Sequence, residues 1–207
     1  MNKLITFEGI DGSGKSTQIN LLKTKFDKNN INNIVVREPG GNVVSEKIRN
    51  ILLDNRNNIN EYTEVLLFMS SRSQLVNEII KPALKNNQFV LCDRYIDSTI
   101  AYQGYGRGIN KKNIDILNDF AIQGVLPKLT LFFDLNINTA LNRMSINKDR
   151  MEKSNLQFWK NVRNGYLELS KKYSQRFVVL DCNNKNQEQI NIELLSVINS
   201  RFGDVLK

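Results

Sequence analysis

The sequence predicts an α/β fold in which a five-stranded parallel sheet is covered by helices on both faces, and three observations carry this prediction. Five apolar runs lack the apolar–polar alternation of a half-exposed strand, so each is expected to be buried on both faces. Helical patterns separate these runs, and such alternation is typical of a parallel sheet with right-handed crossovers. A glycine-rich segment joins the first strand to the first helix.

The elements follow in order along the chain. The strands are expected at 4–7, 34–36, 89–92, 129–135 and 177–180. The helices are expected at 16–26, 44–53, 61–81, 111–124, 137–147, 156–173 and 188–202. Pro82 and Pro127 fall at or just beyond predicted helix ends, where proline is tolerated. Because ligands gather at the carboxyl ends of parallel strands, the segments after four strands are expected to line one cleft. These segments are 8–16, 37–42, 93–104 and 181–186.

The length of 207 residues predicts a single domain, 1–207. No apolar run approaches the roughly 18–20 residues of a membrane span. The first strand begins so early that we expect no signal peptide. Cys92 and Cys182 accompany apolar runs and are expected to be buried, reduced thiols. Together these features predict a cytoplasmic protein.

The formal net charge of +8 raises the question of a nucleic-acid partner. However, the basic residues are scattered, and a phosphate-rich small substrate accounts for positive charge equally well. We expect neither a nucleic-acid nor a membrane partner. The chain has no histidine, so its chemistry must proceed without an imidazole base.

Residues 9–16 fit the phosphate-loop pattern G-x-x-x-x-G-K-[ST], between a predicted strand and a predicted helix. Glycines let backbone N–H groups converge on phosphate, and the helix N-terminus adds unpaired donors. Lys15 can reach the β- and γ-phosphates, and Ser16 can ligate Mg²⁺. The alternative is a chance match in a glycine-rich turn. The loop indicates a nucleoside triphosphate but not its use.

Two further groups of residues have both a structural and a functional interpretation. Arg37 and Glu38 end the second strand before a tight turn, and they form either an ordinary salt bridge or part of a pocket. Phe68 and Arg72 lie four residues apart on one helix face that is otherwise apolar. They are either a core phenylalanine beside a snorkelling arginine, or a stacking ring and a donor that hold a base.

The segment 93–104 follows the third strand. Asp93 occupies the usual position of a group that helps to hold Mg²⁺. Arg94 beside it can clamp a phosphate bidentately. Ser98 and Tyr102 share a helical face by their spacing.

The chain resembles the thymidylate kinase family of bacterial type on several motifs from residue 3 to about 181. These are Glu-Gly-Ile-Asp-Gly-Ser-Gly-Lys-Ser at 8–16, Arg-Glu-Pro-Gly-Gly at 37–41, Leu-Leu-Phe-x-x-x-Arg-x-Gln at 66–74, Asp-Arg-Tyr-x-x-Ser-x-x-Ala-Tyr-Gln-Gly at 93–104, Asp-Arg-Met-Glu at 149–152 and Arg-x-Gly-Tyr at 163–166. The resemblance implies the P-loop nucleoside monophosphate kinase fold with a short lid at about 142–155. It also implies ATP and dTMP as substrates, Mg²⁺ as cofactor, and a homodimer.

The resemblance also implies site residues. The ATP-binding residues would be Gly9, Ile10, Asp11, Gly12, Ser13, Gly14, Lys15, Ser16, Thr17 and Arg143. The dTMP-binding residues would be Asp11, Arg37, Glu38, Pro39, Phe68, Arg72, Arg94, Ser98, Tyr102 and Gln103. Ser16 and Asp93 would serve Mg²⁺.

Within this set, roles follow from the same resemblance. Phe68 would stack on thymine, Arg72 would hydrogen-bond it, and Gln103 would reach the base or sugar. Asp11 would bind the sugar 3′-hydroxyl. Tyr102 would close against C2′ and exclude a ribose hydroxyl.

The chemistry implied is in-line transfer from ATP to a phosphate oxygen of dTMP. That oxygen is already ionised near neutral pH, so no protein general base is required. Lys15 and Arg94 would screen the repulsion between two anionic substrates. The phosphate loop has no arginine, whereas the lid region carries Arg143, Lys148, Arg150 and Lys153. We hypothesise that Arg150 covers the transferring phosphoryl group with Arg143 near ATP; the alternative is a solvated charged face.

Two other interpretations stay open at this point. A related kinase could accept another nucleoside monophosphate, because an arginine can also face a purine carbonyl. A nucleotide-dependent switch or a nucleic-acid-binding ATPase would also use the loop and the positive charge. The chain lacks the Asn-Lys-x-Asp motif expected of a GTPase.

Overall fold

The computed structural model describes residues 2–144 and 149–206. Five parallel strands form one sheet in the order β2-β3-β1-β4-β5, which confirms the predicted architecture. The strands are β1 Leu4–Glu8, β2 Asn33–Arg37, β3 Phe89–Asp93, β4 Leu129–Asp134 and β5 Phe177–Asp181.

Helices separate the strands, as the sequence predicts, and a last helix follows β5. They are α1 Lys15–Lys28, α2 Val43–Leu53, α3 Glu61–Leu75, α4 Lys81–Lys85, α5 Ile96–Thr99, α6 Lys111–Ile122, α7 Ile137–Arg143, α8 Leu156–Lys172 and α9 Gln187–Phe202. Two stretches have π-helical backbone. Val76–Ile80 joins α3 to α4, and Ile100–Gly106 extends α5.

Two predicted helix ends are wrong. The helix predicted at 61–81 continues through Pro82 to Lys85, because Pro82 lies in the first turn of α4, where its missing N–H costs little. The helix predicted at 137–147 ends earlier, at Arg143, and Met144 is extended. Residues 145–148, which include Lys148 and the rest of that prediction, lie outside the described residues.

Both faces of the sheet are covered, which explains why the strands lack polar alternation. Successive residues of a strand point to opposite faces. Leu4 and its partner Val90 belong to one buried cluster, whereas Ile5 and its partner Leu91 belong to another. Each face of the sheet therefore supports its own layer of apolar side chains.

Cys92 and Cys182 are buried and unpaired, as the sequence predicts. Among the helices of residues 2–144 and 149–206, none combines the length and apolar character needed to cross a bilayer.

The strand order places β1 at the centre, with β3 on one side and β4 on the other. The phosphate loop follows β1, and the segment carrying Arg94 follows β3. Arg94 N donates to Phe7 O at 3.0 Å, which joins these two strand ends directly. The site is thus built where the central strands end.

Candidate active site

The phosphate loop connects β1 to α1 as expected. Lys15 Nζ donates to Gly9 O at 2.9 Å and to Ile10 O at 3.0 Å, so the side chain folds back across its own loop. Burial lowers the pKa of Lys15, and the positive charge of Arg94 adds to this effect. A phosphate in the loop would relieve both costs by supplying negative charge.

Gly12 shows why the loop needs glycine. Its φ of +78° lies in the left-handed region, and a Cβ there would be 2.6 Å from Ala140 O. Substitution would therefore combine backbone strain with a backbone clash.

Two pockets meet at this loop. The larger, about 1100 Å³, is lined by Asp11 through Thr17 together with Asp93 and Arg143. The smaller, about 190 Å³, lies beside it. The predicted residues that line the smaller pocket are Asp11, Glu38, Pro39, Phe68, Arg72, Arg94, Ser98, Tyr102 and Gln103. The structure therefore brings the two predicted sets of residues to adjoining spaces.

Four residues line both pockets: Asp11, Glu38, Arg49 and Arg94. Arg94 Nη2 donates to Asp11 Oδ1 at 2.7 Å. Burial acts to raise the pKa of Asp11, but Arg94 and Lys15 outweigh it and hold the pKa below its usual value. Asp11 therefore stays ionised and keeps Arg94 directed at the boundary between the pockets.

Ser16 and Asp93 meet in the larger pocket. Ser16 Oγ donates to Asp93 Oδ2 at 3.2 Å. Asp93 Oδ1 is buried and has no hydrogen-bond partner within the described parts of the chain. Hydroxyl and carboxylate oxygens are ligands that Mg²⁺ accepts alongside water and phosphate. These two residues therefore fit the predicted cation.

Arg72 lines the smaller pocket, and only 1% of its side chain is exposed. The alternative of a snorkelling arginine is wrong, because the guanidinium is buried together with its hydrogen-bond partners. Nε donates to Glu38 Oε2 at 2.7 Å, and Nη2 lies 2.6 Å from the same oxygen. The remaining acceptors are Thr99 Oγ1, Asn118 Oδ1 and Tyr95 O.

Only one of the two carboxylate oxygens of Glu38, Oε2, contacts Arg72. Oε1 is buried without a hydrogen-bond partner among residues 2–144 and 149–206. Both interpretations of Arg37 and Glu38 hold in part, because each forms a salt bridge, Arg37 Nη2 with Glu46 Oε2 at 2.9 Å and Glu38 with Arg72, and each also lines a pocket.

Tyr102 is enclosed by aromatic rings. Its ring makes edge contacts with those of Phe158, Trp159 and Tyr166, and the Arg94 guanidinium lies 5.0 Å above it. The hydroxyl is buried with no hydrogen-bond partner in the described chain. Burial raises the pKa of Tyr102, so the hydroxyl stays protonated.

Glu8 ends β1 and is fully buried, and no role for it was predicted from the sequence. Tyr95 N and the Tyr166 hydroxyl donate to its carboxylate, as does Ser98 Oγ at 2.6 Å. Burial, helped by the charge of Asp97, raises the pKa of Glu8 to about 7. A carboxylate directly before the glycine loop was the available signal, but its partners are distant in sequence.

Arg49 was also missed. It lies on α2, lines both pockets and donates from Nη1 to Pro39 O at 2.9 Å. Burial and the neighbouring Arg37 charge lower the pKa of Arg49. Arg49 lies on a helix away from any strand end, so no sequence pattern indicates a role for it.

The remaining predicted residues lie around this core. Arg37 lines the larger pocket, as do Lys185 and Asn186 from the predicted segment 181–186. Gly9 and Ile10 contribute carbonyls to Lys15. Arg143 Nη1 donates to Gly12 O at 3.5 Å.

Arg150 is held outside both pockets, as far as the described residues define them. Its Nη2 lies 2.6 Å from Glu64 Oε2, and its Nε donates to Leu52 O at 2.7 Å. The role of Arg150 over the transferring phosphoryl group stays a prediction. The neighbouring residues Asp149 and Met151 line the smaller pocket.

A phosphate loop that adjoins a second, base-sized pocket at the strand ends of a parallel sheet defines a P-loop kinase of nucleoside monophosphates. The model of the thymidylate kinase family matches residues 7–192, and the chain belongs to this family.

Curated relatives and a solved structure agree. The chain is 49% identical over 179 residues to the thymidylate kinase of Kosmotoga olearia, covering 86% of each chain. It is 43% identical over 197 residues to that of Fervidobacterium nodosum, covering 95% of this chain and 98% of the relative. The crystal structure of thymidylate kinase from Ehrlichia chaffeensis superposes with a TM-score of 0.78 at 37% identity, covering 96% of this chain and 98% of that one.

Proposed function

We propose that the protein phosphorylates dTMP to dTDP, with ATP as donor and Mg²⁺ as cofactor. The observation that carries the proposal is the boundary between the two pockets, where Asp11 and Arg94 form an ion pair. A donor in the larger pocket and an acceptor in the smaller one would meet at Arg94.

The larger pocket would take ATP. Lys15 and the backbone of the glycine loop would hold its phosphates, and Arg143, beside Gly12, would contact the same end of the nucleotide. Ser16 and Asp93 would hold Mg²⁺, which when bound neutralises charge on the donor phosphates.

The smaller pocket would take dTMP. Phe68 would stack on thymine, and Arg72 would present a guanidinium fixed in advance by Glu38. Since protein acceptors surround Arg72, a base would replace one of them, such as Thr99 or Asn118. A bound pyrimidine would therefore exchange one hydrogen bond for another.

The sugar and phosphate would lie near the pocket boundary. Asp11 would accept from the 3′-hydroxyl, and Tyr102, wedged among rings, would leave no room for a 2′-hydroxyl. Arg94, Arg37 and Arg49 would hold the 5′-phosphate. Asp11 would exchange part of its contact with Arg94 for the sugar, which frees Arg94 for phosphate.

Catalysis would then consist of alignment and charge stabilisation. A dTMP phosphate oxygen is the nucleophile, and no side chain needs to remove a proton. Arg94 would face both the acceptor phosphate of dTMP and the phosphoryl group that is transferred from ATP. The predicted role of Arg150 would require it to leave Glu64 during the cycle.

We also propose a homodimer. Helices α3 and α6 pack together through Val65, Met69 and Ala121. Their outer surfaces carry large exposed apolar side chains: Tyr62, Leu66, Ile116 and Phe120. Large exposed apolar side chains on two helices that pack together are typical of a protein interface.

The test is an assay that couples ADP release to oxidation of a reporter, with ATP, Mg²⁺ and a panel of nucleoside monophosphates. We expect dTMP to give the highest kcat/KM, dUMP to be weaker and dGMP weaker still. Equal kcat/KM for dTMP and dGMP would contradict the acceptor assignment. Absence of ADP release with every monophosphate would contradict the kinase proposal.

A further inference from the structure

Glu64 is a buried carboxylate beside the smaller pocket, and only 1% of its side chain is exposed. Such a group needs partners. Gln103 Nε2 donates to Glu64 Oε1 at 2.9 Å, and Arg107 Nε lies 3.4 Å from the same oxygen. Arg150 Nη2 lies 2.6 Å from Oε2. One carboxylate thus joins three side chains from two other segments.

These segments enclose the smaller pocket. Gln103 lines it directly, from the π-helical stretch after α5. Arg150 stands between Asp149 and Met151, which also line it. Arg150 is tied at its other side to Leu52 O at 2.7 Å. The Arg150 side chain therefore pins its own segment to α2 and α3.

Glu64 also dictates how the Gln103 amide is turned. An ionised carboxylate accepts hydrogen bonds and cannot donate them, so the amide must present its NH₂ group to Glu64. The Gln103 carbonyl oxygen then lies on the side away from Glu64, as an acceptor. An acceptor there suits a ligand that carries an N–H, such as the N3–H of thymine.

Glu64 lies on the same helix as the base-binding residues. It precedes Phe68 by four residues and Arg72 by eight, so the three side chains lie on successive turns of α3. A single helix therefore carries the stacking ring, the guanidinium and the carboxylate that accepts from Gln103, another residue of the pocket lining.

We infer that Glu64 is a positioning residue of the acceptor pocket, which orients the Gln103 amide and holds residues 149–152 in place through Arg150. This inference rests on the proposed function, because the pocket is assigned to dTMP there. Glu64 itself is not among the residues that line the pocket within the described chain, so it acts through Gln103 and Arg150.

The test compares Glu64→Gln with Glu61→Gln, a matched change at an exposed position on the same helix. Loss of a charge-assisted contact predicts a KM for dTMP raised about 10- to 100-fold in Glu64→Gln. The KM for ATP should stay within about twofold, because the larger pocket does not involve Glu64. Glu61→Gln should match the wild type.

The Arg150→Gln variant and the double variant that combines it with Glu64→Gln complete a double-mutant cycle. If Glu64 acts through Arg150, the effects on the KM for dTMP should be less than additive. If circular dichroism shows Glu64→Gln to be unfolded, the more conservative Glu64→Asp takes its place. A raised KM for dTMP with unchanged kcat in the Glu64 variant would support the inference. A lowered kcat with unchanged KM would overturn it and favour Arg150 over the transferring phosphoryl group.

Two negative outcomes are distinguishable. Wild-type protein that fails to phosphorylate dTMP would remove the proposed function. Active wild type, with a folded Glu64→Gln variant whose KM for dTMP is unchanged, would remove only the positioning role. An equal rise in the KM for dTMP and the KM for ATP would also overturn the positioning role, since that result indicates general damage to the fold.

Discussion

Arg94 Nη2 and Asp11 Oδ1 lie 2.7 Å apart across the boundary between the two pockets. Asp11 comes from the phosphate loop after the central strand, and Arg94 follows the neighbouring strand. The pair therefore links the element expected to bind the donor with the element expected to bind the acceptor. Arg94 holds this position with a φ of +68°, in the left-handed region that few non-glycine residues adopt.

Replacement of Arg94 should damage catalysis more than folding. We expect Arg94→Ala to lower kcat/KM for dTMP by about 10³-fold, because it removes the charge nearest to both phosphoryl groups. Steady-state kinetics would measure this. Arg56→Ala removes an arginine whose side chain is 89% exposed and should leave kcat/KM unchanged. A tenfold loss or less at Arg94 would argue against its proposed role.

Glu8 should make stability depend on pH. Its pKa is raised to about 7 in the folded protein from 4.5, so the folded state binds the proton more tightly than the unfolded state. The free energy of unfolding should therefore fall as the pH rises from about 4.5 to 7, by on the order of 3 kcal/mol at most. Urea unfolding at pH 5 and pH 8 would measure the fall.

The matched variant is Glu8→Gln, which cannot titrate at this position. Its free energy of unfolding should fall less than that of the wild type over the same pH range. Parallel curves for the two proteins would show that Glu8 does not carry the effect.

Gly12 should tolerate no side chain. Gly12→Ala places a Cβ 2.6 Å from Ala140 O, at a φ of +78°. We expect a rise in the KM for ATP of about 10²-fold. The loop must shift to relieve the clash, and its N–H groups would then lie too far from the ATP phosphates to form hydrogen bonds. Gly203 has the same φ of +78° but no described heavy atom within 4 Å of the new Cβ. Gly203→Ala should cost about 1–2 kcal/mol of stability through strain alone and leave the KM for ATP unchanged.

The proposed dimer should depend on Phe120, which is 81% exposed on α6. A charge at the centre of an apolar interface is costly, so Phe120→Glu should give a monomer in analytical ultracentrifugation at micromolar concentration. Ile192→Glu changes an apolar side chain that is 61% exposed on α9 and should leave the mass unchanged. A wild-type monomer under these conditions would contradict the dimer itself.

The parts of the fold that local sequence determines were predictable. The ends of the five strands lie within one residue of their predicted positions. Short apolar runs that alternate with helical patterns are typical of strands buried on both faces of a sheet. The phosphate loop was predictable because its glycines and Lys15 all lie within eight consecutive residues, 9–16.

The residues that sequence reasoning missed act through partners far along the chain. Glu8 receives hydrogen bonds from Ser98 and Tyr166, and Glu64 from Gln103 and Arg150. No sequence pattern close to either glutamate indicates which residues these partners are. Burial was foreseeable for Arg72, whose charge interrupts an apolar stripe, but the identity of its acceptors was not.

The π-helical stretch Ile100–Gly106 carries both Tyr102 and Gln103. A π turn holds one residue more than an α turn, and each residue of an α-helix advances the direction of its side chain by about 100°. The stretch thus sets the directions in which Tyr102 and Gln103 project toward the smaller pocket. Deleting one residue from it would let the backbone revert to an α-helix and would change both directions. Among members of the thymidylate kinase family, we therefore expect the length of this segment to vary far less than the identity of its side chains.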